Sequence, residues 1–565
     1  MKTTGNTVIR KGFAALLVLT LLLMILPCGT AFAEDAKQNG DIVILYTSDV
    51  HCGIDEGFGY AGLEQIRESL KAQGNTVLLV DNGDAFQGEP VGTMTKGEAI
   101  LDLMNKLKYD VATPGNHDFD YGMEQFFSLT ERADFPYISC NFNYKGELVF
   151  DPYLILEANG TKIGFVGVTT PQTLVGSTPR YFQDENGEYV YGFCQDETGE
   201  TMYSAVQEAV DSAREEGADY VVVLAHLGNA EGARPWNYAD VISNTTGIDV
   251  MLDGHSHDTD QVIMKNKDGE DVIRSACGTK LASVGYCRIT ADGKISCGLY
   301  TWNNPVSVPE LLGVHNKISE AVTAATKDLN EKLSEVVAVT KVNLTINDPT
   351  EVDAESGRPI RMIRRAETNM GDFYADAFRD QSGADIVLIG GGGIRDSIQA
   401  GDVTLNDILK VSPFGCYLTV IEVTGQQLLD ALEWGSNAVP GENGGFMQVS
   451  GLSYEIDVGI ESSCTKDEDG MFTGIEGERR VRNVLVDGEP IDPDAAYSLG
   501  GLDYWLLDKG DGFSMFDGAK VLQDRVKLDN QVLIDYITET LGGVIGEEYE
   551  DPYGHGRIVI VEETP

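Results

Sequence analysis

The chain has 565 residues, with 41 Lys and Arg against 90 Asp and Glu, a formal net charge of −49. That length calls for two or more domains with sizeable cores. The charge excludes a nucleic-acid polymer as partner, since such binding needs clustered cations to neutralise phosphates, and it disfavours an anionic membrane surface.

Lys2, Arg10 and Lys11 accompany an apolar run over 12–27, and Ala31-Phe32-Ala33 has the small-x-small pattern of a cleavage site. The run is short for a spanning helix. Residues 1–33 therefore read as a signal peptide. The remainder reads as an exported protein, periplasmic, cell-surface or extracellular, with no stable membrane insertion after cleavage. An uncleaved anchor is the alternative. Cys52, Cys140, Cys194, Cys277, Cys287, Cys297, Cys416 and Cys464 are sparse and form no CxxC pair. They make neither a disulfide scaffold nor a structural zinc site, and their pairing is not readable from spacing.

From residue 41 to about 300, short apolar runs alternate with helical patterns. The runs at 42–46, 76–80, 163–168, 220–225 and 250–252 read as buried strands. Ile100, Leu101, Met104 and Leu107 mark an amphipathic helix. This is a layered α/β domain. A long helical pattern follows over 309–335, with Pro309 near its start and an apolar stripe of Val314, Ile318, Val322, Leu329 and Leu333. It reads as an interdomain linker helix. A second α/β region has helices near 369–380 and 425–434, the latter capped by Thr424, and strands near 385–389 and 418–423. The division is 41–305, linker 306–340, and 341–560.

Five segments of the first region place metal-ligand residue types directly after apolar strands. They are Asp49-Val50-His51, Gly83-Asp84, Gly115-Asn116-His117-Asp118, Ala225-His226 and Gly254-His255-Ser256-His257. Open α/β sheets build sites in the crevice at such strand ends. Neutral imidazole and oxygen donors suit divalent cations. Five of the seven histidines fall in these segments, leaving only His315 and His555 elsewhere. A single strand-end histidine is ordinarily structural; five beside Asp, Asn and Gly point to a metal centre.

In this order, DxH, GD, GNHDxxD, an isolated His after a strand, and GHSx resemble the calcineurin-like dinuclear metallophosphoesterases. The resemblance implies a four-layer αββα sandwich holding two divalent metal ions, zinc, manganese or similar. It assigns Asp49, His51, Asp84 and His257 to one metal. Asp84 bridges to a second, held with Asn116, His226 and His255. His257 stands where many relatives have Gln or Asn, a departure that favours softer ions. The resemblance also makes His117 the residue that stabilises charge on the phosphoryl group and leaving oxygen, with Asp120 orienting its imidazole. The plain alternative for Asp120 is a helix-start carboxylate.

In the second region, Gly390-Gly391-Gly392-Gly393-Ile394-Arg395-Asp396 follows a strand. A glycine loop alone fits a tight turn as well as a phosphate cradle. Its context adds weight: Arg364 within RRAETNMGD, Phe414 within PFGC, and a stretch from Asp503 through Trp505 to Asp511-Gly512-Phe513. Guanidinium forks suit phosphate, and aromatic faces suit a base. Together these resemble the C-terminal domain of the exported 5′-nucleotidase/UDP-sugar hydrolase family. Carried over by motif, Arg364 and Arg395 hold the substrate phosphate, Phe414 and Trp505 stack on the base, and Asp511 accepts hydrogen bonds from the ribose. Phe414 and Trp505 as plain core residues is the alternative. Relatives often carry Asn at the positions of Gly390 and Cys416, and Phe at that of Trp505. Stacking survives these changes, whereas a base-edge hydrogen bond does not, so the expected base preference is broad.

The resemblance thus implies an exported, metal-dependent 5′-nucleotidase. Its substrates are nucleoside 5′-monophosphates, extending to di- and triphosphates and UDP-sugars, attacked at phosphorus by metal-activated water. A 2′,3′-cyclic-nucleotide 2′-phosphodiesterase/3′-nucleotidase and a non-catalytic nucleotide-binding surface protein remain open, as does the oligomeric state.

Overall fold

The computed structural model describes residues 40–184, 186–229, 233–301, 314–352 and 359–562. The signal segment at 1–33, and Pro309 with the start of the expected linker pattern, lie outside the described residues.

Two sheets face each other in the first half of the chain. In the five-stranded one, Ile42–Thr47, Thr76–Asp81 and Val111–Ala112 run parallel, and Ser283–Ile289 and Ile295–Thr301 extend it antiparallel. The six-stranded sheet is built on four parallel strands, Thr161–Thr169, Tyr220–His226, Val250–Asp253 and Asp271–Ala276. Tyr153–Ala158 and Gln261–Lys265 form its antiparallel edges. Side-chain alternation divides each strand between two cores. Ile42, Ile44 and Tyr46 meet Phe165, Val222, Leu224 and Leu252 between the sheets. Val43 and Leu45 face outward onto Leu63, Ile66, Ile100 and Met104 of the helices Gly59–Ala72 and Glu98–Leu107. Val166, Val168, Val221 and Val223 turn onto Met202, Val206 and Val210 of Glu200–Glu215. The result is four layers, αββα. Burial on both faces explains why these strands read as continuous apolar runs rather than alternating ones.

The linker pattern is shorter than the sequence suggests. Its helix spans Lys317–Leu333 and begins at a capping box: Asn316 accepts from the Ile318 and Ser319 amides, and Ser319 Oγ accepts from the Asn316 amide. That signal fixes the start better than Pro309 does. Ile318 and Val322 join the core of the first-domain helices, and Asn316 Nδ2 donates to the Ala61 carbonyl at 2.9 Å. The helix is therefore packed along the first domain. Val336–Thr340 follows at once and pairs with Gly401–Thr404 and Val544–Ile545.

The second domain centres on a five-stranded sheet in the order Met447–Ser450, Ile386–Gly390, Ala496–Leu502, Tyr417–Thr424, Lys520–Leu528. Its main helix, Asn369–Ser382, starts at the Thr368 cap and stops at Gly383, whose φ of 66° ends the helix in the left-handed region. Gly425–Gly435 starts at a capping box between Thr424 and Gln427. Each such cap stabilises its helix by about 1 kcal/mol. All eight cysteines among the described residues are free thiols. Among those residues no helix is long and apolar enough to cross a membrane.

Candidate metal centre and substrate cavity

The seven expected metal ligands converge at the carboxyl ends of the parallel strands, from both sheets. Ligand atoms of Asp49, His51 and His257 lie within 4.8 Å of one another, as do those of Asp49, Asp84 and His226. Asn116 Oδ1 completes the cluster, 3.2 Å from His226 Nε2 and 2.8 Å from His255 Nδ1. Asp49 belongs to both close groups, so it sits nearer to a shared position than the expected partition implied.

Main-chain carbonyls orient two of the imidazoles. His51 Nδ1 lies 2.9 Å from the Gln87 carbonyl, and His226 Nδ1 lies 2.7 Å from that of Asn82. A carbonyl only accepts, so each Nδ1 carries a proton, and neutral His51 offers a lone pair on Nε2. The His51 lone pair faces Asp84 Oδ2 at 3.7 Å and His257 Nε2 at 3.0 Å. His226 Nε2 faces Asp84 Oδ2 at 3.2 Å and Asn116 Oδ1 at 3.2 Å. Carboxylate, amide and imidazole ligand atoms gathered in one buried pocket are the arrangement a cation satisfies. The residues present therefore fit divalent metal.

The electrostatics agree. Burial raises Asp49 to about 7, despite the pull of His226, and raises Asp81 to about 8. It raises Asp118 to about 6, with Asp84 adding to the effect. Burial opposes charge on His226 too, yet Asp84 and Asp49 lift it to about 10. Burial lowers His51 and His255 to about 3 and keeps both neutral. Buried carboxylates crowded this way call for positive charge, which His226 supplies here and a bound divalent metal would supply in its place.

Asp49, His51, Asp84, His255 and His257 all have φ between +45° and +77°. Non-glycine residues in that region are strained by about 1–3 kcal/mol each and persist only where surroundings over-determine them. The neighbouring glycines serve a different need, close approach. A Cβ on Gly254 would lie 1.9 Å from Ser48 Oγ and 2.8 Å from Asp49 Oδ2; one on Gly115 would lie 2.2 Å from Asp84 Oδ1. Asp118 holds the loops together, accepting from the amides of Asp84, Ala85 and Gly115. It stood in the quoted motif without an assigned role.

His117 donates its backbone amide to Asp84 Oδ1 at 2.7 Å, and its Nδ1 meets Asp120 Oδ2 at 2.7 Å. Burial opposes charge on this imidazole, but Asp120 and Asp84 outweigh it and raise its pKa. Ser177 Oγ donates to the other Asp120 oxygen at 2.8 Å. Ser177 was absent from the sequence reading, because 57 residues separate it from Asp120 and no motif marks it.

Phe414 brings the second domain to the first, its ring 5.7 Å from that of His117. The Arg395 guanidinium lies over the same ring at 5.5 Å. Burial, then Arg361, lowers Arg395 to about 10; burial, Arg361 and Arg395 together lower Arg364. Guanidiniums crowded this way call for an anion. Arg361 was missed in the sequence; it pairs with Glu442 at 3.0 Å and lines a side cavity of about 140 Å³ with Arg364 and Arg395. Further bonds join the domains around the cleft: Thr93 Oγ1 to the Pro413 carbonyl at 2.8 Å, Tyr504 OH to the Val175 carbonyl at 2.6 Å, and Lys410 to Glu89 at 3.0 Å.

Trp505 is 2% exposed and packs within the second-domain core while lining the cleft. A Cβ on Gly390 would already lie 2.2 Å from its ring. The glycine and the tryptophan, two separate departures in the sequence, are thus one packing solution: the indole occupies space that a side chain at 390 would need. Trp505 Nε1 donates to Asp511 Oδ2 at 2.9 Å, and Trp434 Nε1 donates to the Asp511 carbonyl at 2.8 Å. One cleft of about 1010 Å³ is lined by Asn116, His117, Asp120 and His255 from the first domain and by Arg364, Arg395, Phe414, Trp505 and Asp511 from the second.

The calcineurin-like phosphoesterase family matches residues 42–259, and the 5′-nucleotidase C-terminal domain family matches residues 336–518. The chain is 26% identical to a 5′-nucleotidase of Vibrio cholerae, over 90% of this chain and 93% of that one. It is 25% identical to the protein UshA of Escherichia coli, over 94% and 96%. Among solved structures it resembles a 5′-nucleotidase precursor from Thermus thermophilus, with a TM-score of 0.74 at 26% identity, covering 93% of this chain and 100% of the other.

Proposed function

The chain belongs to the family that joins a calcineurin-like phosphoesterase domain to a 5′-nucleotidase C-terminal domain and is a phosphoric monoester hydrolase with a metal-binding site; from that premise we propose that it is an exported 5′-nucleotidase working with two divalent metal ions. The observation that carries this reading is the single cleft, with the metal-side residues on one wall and Arg364, Arg395, Phe414 and Asp511 on the other. A molecule reaching both walls has a phosphoryl group at one end and a nucleoside at the other.

In this reading Asp49, His51, Asp84 and His257 hold one cation, and Asp84, Asn116, His226 and His255 the second. Bound divalent metal supplies Lewis-acid charge at the phosphoryl oxygens and activates water at neutral pH. Arg364 and Arg395 orient the phosphate by charge-assisted hydrogen bonds. His117, oriented through Nδ1 by Asp120, stabilises the leaving 5′-oxygen. Phe414 and Trp505 form the base platform, and Asp511 accepts from the ribose hydroxyls. Residues 1–33 direct export, 41–305 form the metal domain, 306–340 the connection and 341–560 the substrate domain.

A phosphate-release panel tests this. Metal-loaded protein should turn over 5′-AMP, and 3′-AMP and 2′,3′-cyclic AMP far more slowly; a preference for the cyclic substrate overturns the reading in favour of a cyclic-nucleotide phosphodiesterase. Values of kcat/KM for AMP, GMP, UMP and CMP should agree within about tenfold, because stacking tolerates every base. Strict preference for one base would reject the platform-only account. Export predicts a secreted form beginning at Glu34, read by N-terminal sequencing.

A further inference from the structure

Arg274 is fully buried, among the largest such side chains in the protein. It stands on Asp271–Ala276, in register with Met251 of the parallel strand Val250–Asp253, the strand that leads into His255 and His257. A guanidinium has five N–H donors. Here five hydrogen bonds are made, all to carboxylates. Nε and Nη2 donate to Asp253 Oδ2 at 3.1 and 2.8 Å. Nη2 also donates to Asp258 Oδ1 at 3.1 Å, and Nη1 donates to Asp258 and Asp260. The Tyr238 ring covers the group at 4.3 Å from its carbon.

The three aspartates bracket the ligand loop. Asp253 precedes His255 by two residues, Asp258 directly follows His257, and Asp260 closes the loop by accepting the Ala276 amide on its main-chain carbonyl at 3.0 Å. Asp253 acts in a second direction as well. Its Oδ1 accepts from the amides of Leu227 and Gly228 at 3.0 and 3.2 Å, just after His226. One guanidinium therefore ties together the chain on either side of His255 and His257 and, through Asp253, the turn after His226. Two of these, His255 and His257, have φ of 77° and 57°. Neither conformation persists without restraint from outside the loop.

We infer that Arg274 is a positioning residue for the metal centre: through Asp253, Asp258 and Asp260 it holds His226, His255 and His257 in their ligating geometry without touching metal or substrate. The inference rests on the metal-centre reading above. Lysine has three donors on a point charge and cannot reproduce the fork.

The test is calorimetric titration of metal-free protein with zinc and with manganese, comparing the parent chain with Arg274→Lys and Asp260→Asn, each variant checked for folding by circular dichroism. Groups that orient ligands typically change metal affinity about 10–100-fold. A dissociation constant raised by that factor in folded Arg274→Lys, with KM for 5′-AMP at saturating metal within about twofold of the parent, is the expected result. A purely structural arginine would lower the melting temperature and leave the metal dissociation constant unchanged. If Arg274→Lys does not fold, Asp260→Asn carries the test, since it keeps the buried charge paired by Asp253 and Asp258 while replacing one charge-assisted loop anchor by a weaker neutral one. It should weaken binding about threefold to tenfold; unchanged affinity in that folded variant overturns the inference. Failure of the parent to bind either metal defeats the metal-centre reading itself, and is thereby distinguished from parent-like affinity in a variant.

Discussion

The two walls of the cleft are built on opposite principles. On the metal wall every candidate ligand lies within a few residues of a strand end, main-chain carbonyls orient two of the imidazoles, and five of the candidates occupy left-handed backbone. On the nucleotide wall the groups come from segments far apart in the chain, around 364, 395, 414, 505 and 511, and are positioned by side-chain packing such as Trp505 on Gly390. Metal ligation demands fixed lone pairs at fixed distances, which short rigid loops supply. A stacked base and a phosphate tolerate more variation in their partners, and that wall accordingly accepts an indole for a phenyl ring.

The largest break is expected on the metal wall. Asp84→Asn removes the carboxylate that the proposed assignment gives to both metals and should lower kcat/KM for 5′-AMP at least about 1,000-fold, with lost metal content; unchanged turnover would falsify the two-metal reading. Next is the His117–Asp120 pair. Asp120→Asn should reduce kcat about 10–100-fold with little change in KM, within the range of general acid–base contributions. Asp120 is the chief group raising the His117 pKa against burial. Its neutralisation should therefore shift the alkaline limb of the kcat/KM profile to lower pH, and a limb that stays in place would remove His117 from the profile.

On the nucleotide wall, Gly390→Asn should raise KM roughly tenfold because the new side chain meets the indole. Trp505→Phe in the same chain should recover part of that loss, with a coupling of about 0.5–3 kcal/mol in a double-mutant cycle. Additive effects would show that the two positions are independent. The smallest effect concerns metal-free protein. Asp49, raised to about 7, Asp81, raised to about 8, and His226, raised to about 10, each bind a proton more tightly folded than unfolded. Their contribution is present at low pH and is lost as pH rises through those values. His51 and His255, at about 3, oppose this trend only while the unfolded imidazoles still titrate, up to about one unit above 6.5. Between pH 6.5 and 8 the melting temperature of chelator-treated protein should fall more steeply than that of the metal-loaded protein. Parallel curves would contradict the cation-requiring cluster.

The layered fold and the gathering of the candidate ligands were legible in the amino-acid sequence because both are local. A strand buried on both faces is a continuous apolar run, and a strand-end ligand lies beside the run that positions it. Thr424 as a cap was visible for the same reason. The helix Lys317–Leu333 starts later than the periodic pattern suggests because the Asn316–Ser319 box, and not Pro309, sets its first turn. What only the tertiary structure decided is long-range: Ser177 behind Asp120, Arg361 among the phosphate-side cations, Gly390 making room for Trp505, and Arg274 gathering three aspartates. Each depends on which side chains meet across tens or hundreds of residues. Periodicity and spacing carry no record of that, because burial and hydrogen bonding act in space rather than along the chain.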